Sequence, residues 1–229
     1  MYSEQAFLKF SNIEFETAVS NNHASPTGVL PFLTPSDSSS TAPIPSNKIK
    51  KWALSQKIRK EEKDSEWTGQ HEAFLSLIDN EIRRAWLYNL YLKRENAESV
   101  AKALYVYPAS SNIFVQAVTF YQLQQAALVE LQKKDERVEE RDLYSDAREA
   151  FQALSTLLGS SPYFFGAQKP ALFDASLFAY THLLLDSSLH WRSLQLAELL
   201  QKWPNLVDHR ERILAKYFGS DAITESAPS

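Results

Sequence analysis

Few residues of this sequence are of types that carry out chemistry. The chain has 229 residues and no cysteine, which excludes disulfides, thiolate nucleophiles and Cys-ligated zinc. No Ser-His-Asp or paired-carboxylate arrangement occurs at an informative spacing. The histidines are scattered, with no pair four residues apart and no carboxylate at ligand spacing; they are His23, His71, His182, His190 and His209. The residue types therefore predict no catalytic site, no metal site and no bound cofactor.

Asp174 is the most informative of the polar residues, because it lies where a carboxylate stabilises a helix. Residues 172–185 are apolar around most of the helical circumference, a pattern typical of a helix enclosed by other helices. In the first turn of that helix, a carboxylate accepts hydrogen bonds from free backbone N–H groups and meets the positive end of the helix dipole. We interpret Asp174 as structural. His182, in the same segment, is expected to be a hydrogen-bonded core histidine.

The composition is that of a folded protein. Hydrophobic residues make up 44% of the chain and charged residues 23%, enough to bury one sizeable core or two smaller ones. A net charge of −4 argues against a nucleic-acid partner. No apolar run reaches the roughly 18 residues needed to span a bilayer, and the first residues lack the basic flank and apolar core of a signal peptide. We expect a chain that does not span a membrane.

The first sixty residues predict a small α/β unit that would position a site. Residues 5–10 are typical of the end of a helix, and 13–19 alternate apolar and polar residues as a strand does. A second strand is predicted at 29–33, where Pro31 favours an edge, a bulge or a cis bond. A mobile Ser- and Pro-rich loop at 35–46 leads past a strand around Ile44 to a helix at 48–60.

The rest of the chain predicts only helices. Mixed charges at 57–66 mark a boundary, and we expect a first domain at 1–62, an all-helical domain at 63–219 and a disordered tail at 220–229. Apolar periodicity predicts helices at about 68–91, 113–131, 143–157 and 172–185, and a last one starting at Pro204. The helix at 113–131 has apolar residues on two adjoining faces, so we expect it to be largely buried.

Two strings of this sequence resemble one known family. Tyr163-Phe-Phe-Gly166, followed by Pro170 and Leu172-Phe-Asp-Ala175, is similar to the metaxins, a branch of the glutathione-transferase superfamily. Ser25-Pro-Thr-Gly-Val-Leu-Pro-Phe-Leu33 resembles their thioredoxin-like first domain, in which the proline matching Pro31 is cis. The resemblance implies an α+β, mainly α fold, with an all-helical glutathione-transferase-like second domain. The structural motif positions that it implies are Pro31, Gly166, Pro170 and Asp174.

The sequence departs from the enzymes of that superfamily where they carry their chemistry. On this alignment Met1 falls at the start of the family's first helix, so the preceding strand, after which the thiol-activating residue sits, is absent. At the strand near Ile44, transferases have an acidic residue or Gln followed by Ser to hold the γ-glutamyl carboxylate, whereas this chain has Ser46-Asn47-Lys48. Ala171 replaces the Ser or Thr of their capping box. The comparison implies a truncated first domain and a protein that is not an enzyme.

The resemblance implies a role in mitochondrial protein import. Metaxins are non-enzymatic, and the matching subunit belongs to the sorting and assembly machinery on the cytosolic face of the outer membrane, where it helps to receive β-barrel precursors and recognises their β-signal. One metaxin-like subunit has a carboxy-terminal anchor; this chain resembles the other, peripheral one. The implied partners are the outer-membrane β-barrel core protein, a second metaxin-like subunit and the precursors. Association with the membrane would run through these partners.

Two alternatives stay open at this point. A glutathione-dependent transferase-like enzyme would share the fold, but it needs a thiol-activating group next to a first strand that has no counterpart in this sequence. A cytosolic scaffold with the same fold would remain soluble after cell fractionation. The sequence does not separate residues that contact partners from residues of the core.

Overall fold

A short α/β unit forms the amino-terminal part of the computed structural model, which describes residues 2–18, 20, 24–28, 30–36, 42–55 and 69–219. Its elements are α1 (Tyr2–Phe10), β1 (Phe32–Leu33), β2 (Ile44–Pro45) and α2 (Ser46–Ser55). The two strands pair antiparallel, with Phe32 opposite Pro45 and Leu33 opposite Ile44. The Leu30–Pro31 peptide bond is cis, as the resemblance implies.

Two expectations for this unit were wrong. Residues 13–18 form no strand, because Ile13 and Phe15 pack against the α1 side of the core instead of pairing with a neighbouring strand; Val19 lies outside the described residues. The loop expected at 35–46 was given too late an end: Ile44 and Pro45 form β2, which confirms the strand expected around Ile44, and Ser46 begins α2. The middle of that loop, at 37–41, again lies outside the described residues.

All of the predicted helices of the second part are found. A helical run over 69–92 contains α3 (Gly69–Leu77) and α4 (Arg83–Leu87), with wider π-helical turns at Ile78–Ile82 and Tyr88–Leu92. The elements that follow are α5 (Arg94–Asn96), a π-helical segment at Ala97–Val106, α6 (Ile113–Gln132), α7 (Glu140–Leu158), a 3-10 turn at Phe164–Gly166, α8 (Leu172–Leu185), a 3-10 turn at Ser187–Leu189, α9 (Gln195–Gln201), α10 (Pro204–Ile213) and a π-helical end at Leu214–Phe218. The mainly helical α+β fold class is therefore confirmed.

Helix α8 lies at the centre, as its apolar circumference predicts. It contributes Phe173, Leu177 and Leu184 to a core shared with the 69–92 run, α7 and α9. From another side it contributes Ala175 and Phe178 to a second core, which holds α1, α2 and the end of the chain's last helix. One helix thus joins the small α/β unit to the helical bundle.

Helix α6 contradicts its predicted burial. Only Ala127 and Leu131 are buried, whereas the exposed fractions are 72% for Ile113, 80% for Phe114, 57% for Val118 and 61% for Tyr121. One face of α6 packs on the preceding helical segments, where Gln124 Nε2 donates to the Tyr91 carbonyl oxygen at 2.9 Å. Periodicity indicates which residues share a face but not whether another element covers it.

No helix within the described residues is long and apolar enough to cross a membrane. The expected domain boundary near residue 62 and the expected tail at 220–229 both fall outside those residues. The domain division therefore stays a prediction.

Candidate functional site

Asp174 is the centre of a buried cluster that joins a loop to two helices. Its Oδ1 accepts a hydrogen bond from the Phe164 backbone N–H at 3.1 Å, and its Oδ2 accepts from the Ala171 N–H at 2.8 Å. His209 Nε2, on α10, donates to the same Oδ1 at 2.8 Å, because a carboxylate can only accept. The side chains of Asp174 and His209 are 1% and 0% exposed. We call Phe164, Ala171, Asp174 and His209 the Asp174 cluster.

The chain reaches this cluster through a strained turn. Phe165 and Gly166 have φ of 58° and 69°, a region that glycine adopts without a Cβ penalty and phenylalanine does not. The Phe165 ring packs against Phe173 and His71, with centroids 5.1 and 3.8 Å apart, and these contacts hold the unfavourable backbone conformation. Ala171 has no side-chain oxygen, so only the Asp174 half of the capping box exists.

The predicted motif positions are only partly brought together. Gly166, Pro170 and Asp174 lie along the turn that opens α8, whereas Pro31 precedes β1 in the small α/β unit. Within the described ranges, no three His, Asp or Glu side chains are grouped so that they could hold a metal ion.

His209 is the member of the cluster that sequence reasoning missed. It is 35 residues from Asp174, and their pairing depends on how α10 packs against α8. The His209 imidazole packs edge-on against the rings of Tyr163 and Phe164, with centroid separations of 6.3 and 5.3 Å. A local signal did exist: His209 lies between Leu206 and Ile213 at the spacing of one buried helical face.

The cluster has the groups of a catalytic dyad but not its accessibility. A carboxylate that orients an imidazole is the arrangement used in triads, where the histidine must also reach a nucleophile and a substrate. Here both side chains are closed off from solvent, and His209 Nδ1 has no hydrogen-bond partner in the part of the chain that is described. This arrangement can hold the loop, α8 and α10 together, but it cannot exchange protons with a bound substrate.

The position that holds glutathione in transferases is engaged differently. At the start of α2, Ser46 Oγ donates to Glu4 Oε1 on α1 at 3.3 Å. The hydroxyl therefore ties α2 to α1. The Glu4 carboxylate therefore lies at this helix end, where it would repel the γ-glutamyl carboxylate of glutathione.

A second buried polar network surrounds Asn96 and was not predicted. Asn96 Nδ2 donates to Asn89 Oδ1 at 3.0 Å and to the Ser193 carbonyl oxygen at 3.1 Å. Its Oδ1 accepts from the backbone N–H groups of Arg192 and Ser193 at 3.0 and 2.8 Å. Asn96 uses both amide hydrogens and both lone pairs. It ties the segment before α9 to the helical run.

We expect Asn96→Ala to lower the free energy of unfolding by about 2–3 kcal/mol, because it leaves three part-buried backbone groups of Arg192 and Ser193 without this partner. Urea denaturation followed by circular dichroism measures the loss. The matched control is Asn80→Ala, at an exposed helical position whose amide nitrogen donates to the exposed Ser76 Oγ. An equal effect of the two substitutions would contradict the role given to Asn96.

His182 is hydrogen-bonded as expected, but it is half-buried and not part of the core. Its ring stacks on Phe178, with centroids 5.2 Å apart and planes at 7°, and Arg210 Nη2 donates to its Nδ1 at 3.3 Å. Burial, and then the Arg210 guanidinium, lowers the pKa of His182 below its ordinary value of 6.5, while Asp186 and Glu211 oppose the shift. The folded state therefore favours the neutral ring.

This shift makes part of the stability depend on pH. Because the folded pKa lies below the unfolded one, the contribution of neutral His182 is complete above about pH 6.5 and is lost as the pH falls toward the folded pKa. We expect His182→Gln to reduce the fall in melting temperature between about pH 7 and pH 5. The control is His190→Asn, which is exposed. If both variants keep the wild-type pH profile, His182 is not the group responsible.

Comparison with known proteins agrees with this architecture. Residues 3–96 match the family model for the glutathione S-transferase N-terminal domain, and residues 147–213 match that for the C-terminal domain. Metaxin-1 of Homo sapiens is 29% identical over 214 residues, which cover 89% of this chain and 44% of that protein. Metaxin-3 of Xenopus laevis is 28% identical over 237 residues, covering 97% and 72%. Metaxin-2 of Homo sapiens is 27% identical over 222 residues, covering 93% and 80%.

The similarity runs along nearly the whole chain and includes both strings that resemble metaxins. The chain spans less than half the length of the human Metaxin-1 that it matches. The matches to two transferase domains agree with a small α/β unit followed by a helical bundle built on α8. The chain is a metaxin-like protein with a glutathione-transferase fold.

Proposed function

We propose that this chain is a non-enzymatic subunit of the mitochondrial outer-membrane β-barrel assembly machinery. It acts on the cytosolic face as a peripheral protein and helps to receive β-barrel precursors by recognising their β-signal. The observation that carries the proposal is the similarity to metaxins over 89% to 97% of the chain. Its partners are the barrel-shaped core protein, a second metaxin-like subunit and the precursors.

The geometry supports the non-enzymatic part of the proposal. The one acid–imidazole pair found at the predicted site, Asp174 with His209, is closed to a substrate. At the helix end where a transferase binds the γ-glutamyl carboxylate, Ser46 is bonded to the carboxylate of Glu4. Both polar sites are engaged in joining elements of the fold, which suits a binding protein.

An extended precursor segment can be held by the small sheet. β1 and β2 pair only with each other among the described residues, so each strand has one edge without a strand neighbour. An added strand gains main-chain hydrogen bonds at such an edge, and alternate side chains give specificity. Phe32 is half-buried there and offers apolar surface for those side chains, whereas Leu33 and Ile44 pack against the second core.

Affinity purification tests the assignment to the assembly machinery. Mitochondrial membranes carrying the tagged full chain are solubilised in mild detergent, and co-purifying proteins are identified by mass spectrometry. We expect an outer-membrane β-barrel protein and a second metaxin-like subunit. Recovery of the chain from the soluble fraction without these proteins would contradict the proposal and favour a cytosolic scaffold. Turnover of glutathione with a generic electrophile would contradict the non-enzymatic assignment.

Site-specific crosslinking tests the sheet edge. A photoreactive residue at Phe32, on β1, should crosslink to a precursor that carries its β-signal and lose the crosslink when the β-signal is deleted. The matched position is Leu54, an exposed apolar residue of α2 in the same unit. Crosslinking from Leu54 but not from Phe32 would show that precursors bind away from the sheet.

A further inference from the structure

The outward face of α6 is the most apolar exposed surface in the described part of the chain. Three residues dominate it, and more than half of each is exposed; they are Phe114, Val118 and Tyr121. Val129 continues the face toward the end of the helix and is 58% exposed. We call these four residues the α6 outer stripe. Single exposed hydrophobic residues are common on protein surfaces, but a contiguous apolar stripe of this kind marks an interaction site.

The segment of the chain that carries the stripe contains no charged residue. Between Lys102 and Glu130 the sequence has no Asp, Glu, Lys, Arg or His. Lys102 Nζ lies 4.5 Å from the centroid of Phe120, which is on the packed side of the helix, and Glu130 is ion-paired with Arg83 and Lys133. Depletion of charge combined with exposed aromatic residues is typical of the core of a protein interface.

The spacing along the stripe fits a second helix laid beside α6. Phe114, Val118, Tyr121 and Gln125 follow one another at intervals of four, three and four residues, which is the alternation of a coiled-coil seam. The 20 residues of α6 give a seam of about 30 Å. Asn112 caps the helix by accepting from the N–H groups of Phe114 and Val115, so its first turn is held in place without a partner.

We propose that the α6 outer stripe is a homodimer interface, in which the α6 helices of two copies of this chain pack side by side about a two-fold axis. A two-fold contact places the same surface on both sides, so any charge within it would face its own kind. The stripe has none. Gln125, the one amide of the seam, both donates and accepts, so it can pair with its own equivalent. A charged partner surface would instead be buried without compensation.

The exposed area approaches what such a dimer requires. With about 200 Å² for an aromatic side chain and somewhat less for an aliphatic one, the exposed fractions of the stripe amount to roughly 450 Å² per copy. The exposed residues Gln122, Gln125 and Ala126 lie on the same side of the helix. Their area brings the total toward the roughly 800 Å² that each partner contributes to a stable interface.

Sedimentation velocity of the full chain tests the proposal. We expect a species with twice the 26.1 kDa mass of the chain at roughly 10 μM protein, and dissociation on dilution. In the double variant Val118→Glu/Tyr121→Glu, like charges meet across the axis, and the dissociation constant should rise at least about 100-fold. The melting temperature of the monomer should stay unchanged, because both positions are exposed. Leu54→Glu, at an exposed apolar position of α2, should leave the dimer intact.

A charge-swap experiment separates a specific contact from general stickiness. Val118→Glu and Val118→Lys should each be monomeric alone and should form a heterodimer when mixed. A chain that stays monomeric up to about 100 μM would overturn the proposal, as would a dimer unaffected by the double variant. Monomers that instead co-float with phosphatidylcholine vesicles would overturn it in favour of a lipid surface.

Discussion

Replacing Asp174 with alanine should lower the free energy of unfolding by about 3–5 kcal/mol, the largest loss expected from a single polar substitution in this chain. The change removes the acceptor of the Phe164 and Ala171 N–H groups and of His209 Nε2, at a place that water does not reach. Three buried donors then lack partners, and each costs part of its desolvation energy. Thermal and urea unfolding measure the loss, with a fall in melting temperature of about 10 °C or more.

Two further variants define the origin of this loss. Asp208→Ala removes a carboxylate at an exposed position of α10 and should change the free energy of unfolding by less than about 0.5 kcal/mol. Asp174→Asn keeps an oxygen for Phe164 but turns an amide donor toward a second donor, so it should recover only part of the stability. If Asp174→Ala were as mild as Asp208→Ala, the cluster would not be holding the fold.

Replacing Phe178 with alanine should also cost about 3–5 kcal/mol, through the cavity that it leaves in the second core. The Phe178 ring is fully buried and stacks on His182 and Phe218, each with a centroid separation of 5.2 Å. Because this core also holds α1 and α2, the substitution should loosen the small α/β unit before the rest of the chain unfolds. Limited proteolysis should then cut the amino-terminal part first.

The matched control makes the same chemical change on the surface. Phe114→Ala, at a position that is 80% exposed, should change the stability of the monomer by less than about 0.5 kcal/mol. Measurements are made at concentrations low enough to exclude self-association. Uniform proteolysis of Phe178→Ala, with no preference for the amino-terminal part, would contradict the view that α8 joins two separate cores.

The predicted helices and two of the three predicted strands are found, with β1 inside 29–33 and β2 at Ile44, whereas the strand expected at 13–19 is not formed by residues 13–18. The reason lies in the contacts that each kind of element needs. A helix is stabilised by residues three and four positions apart, so the periods in 113–131 and 172–185 were sufficient to place α6 and α8. A strand needs a partner from elsewhere in the chain, and the alternation at 13–18 met none. Helical periodicity also left open which faces are covered, and the expected burial of α6 was wrong for that reason.

The sequence by itself determined the helical periods, the apolar character of α8, the carboxylate in its first turn and the two strings that resemble metaxins. These are local properties, and they depend on residues within a few positions of one another. Only the tertiary structure decided that Asp174 pairs with His209, that Asn96 ties the segment before α9 to the helical run and that the outer face of α6 stays uncovered. Each of these depends on contacts between residues far apart in the chain, or on their absence, and no local pattern encodes which distant helices meet.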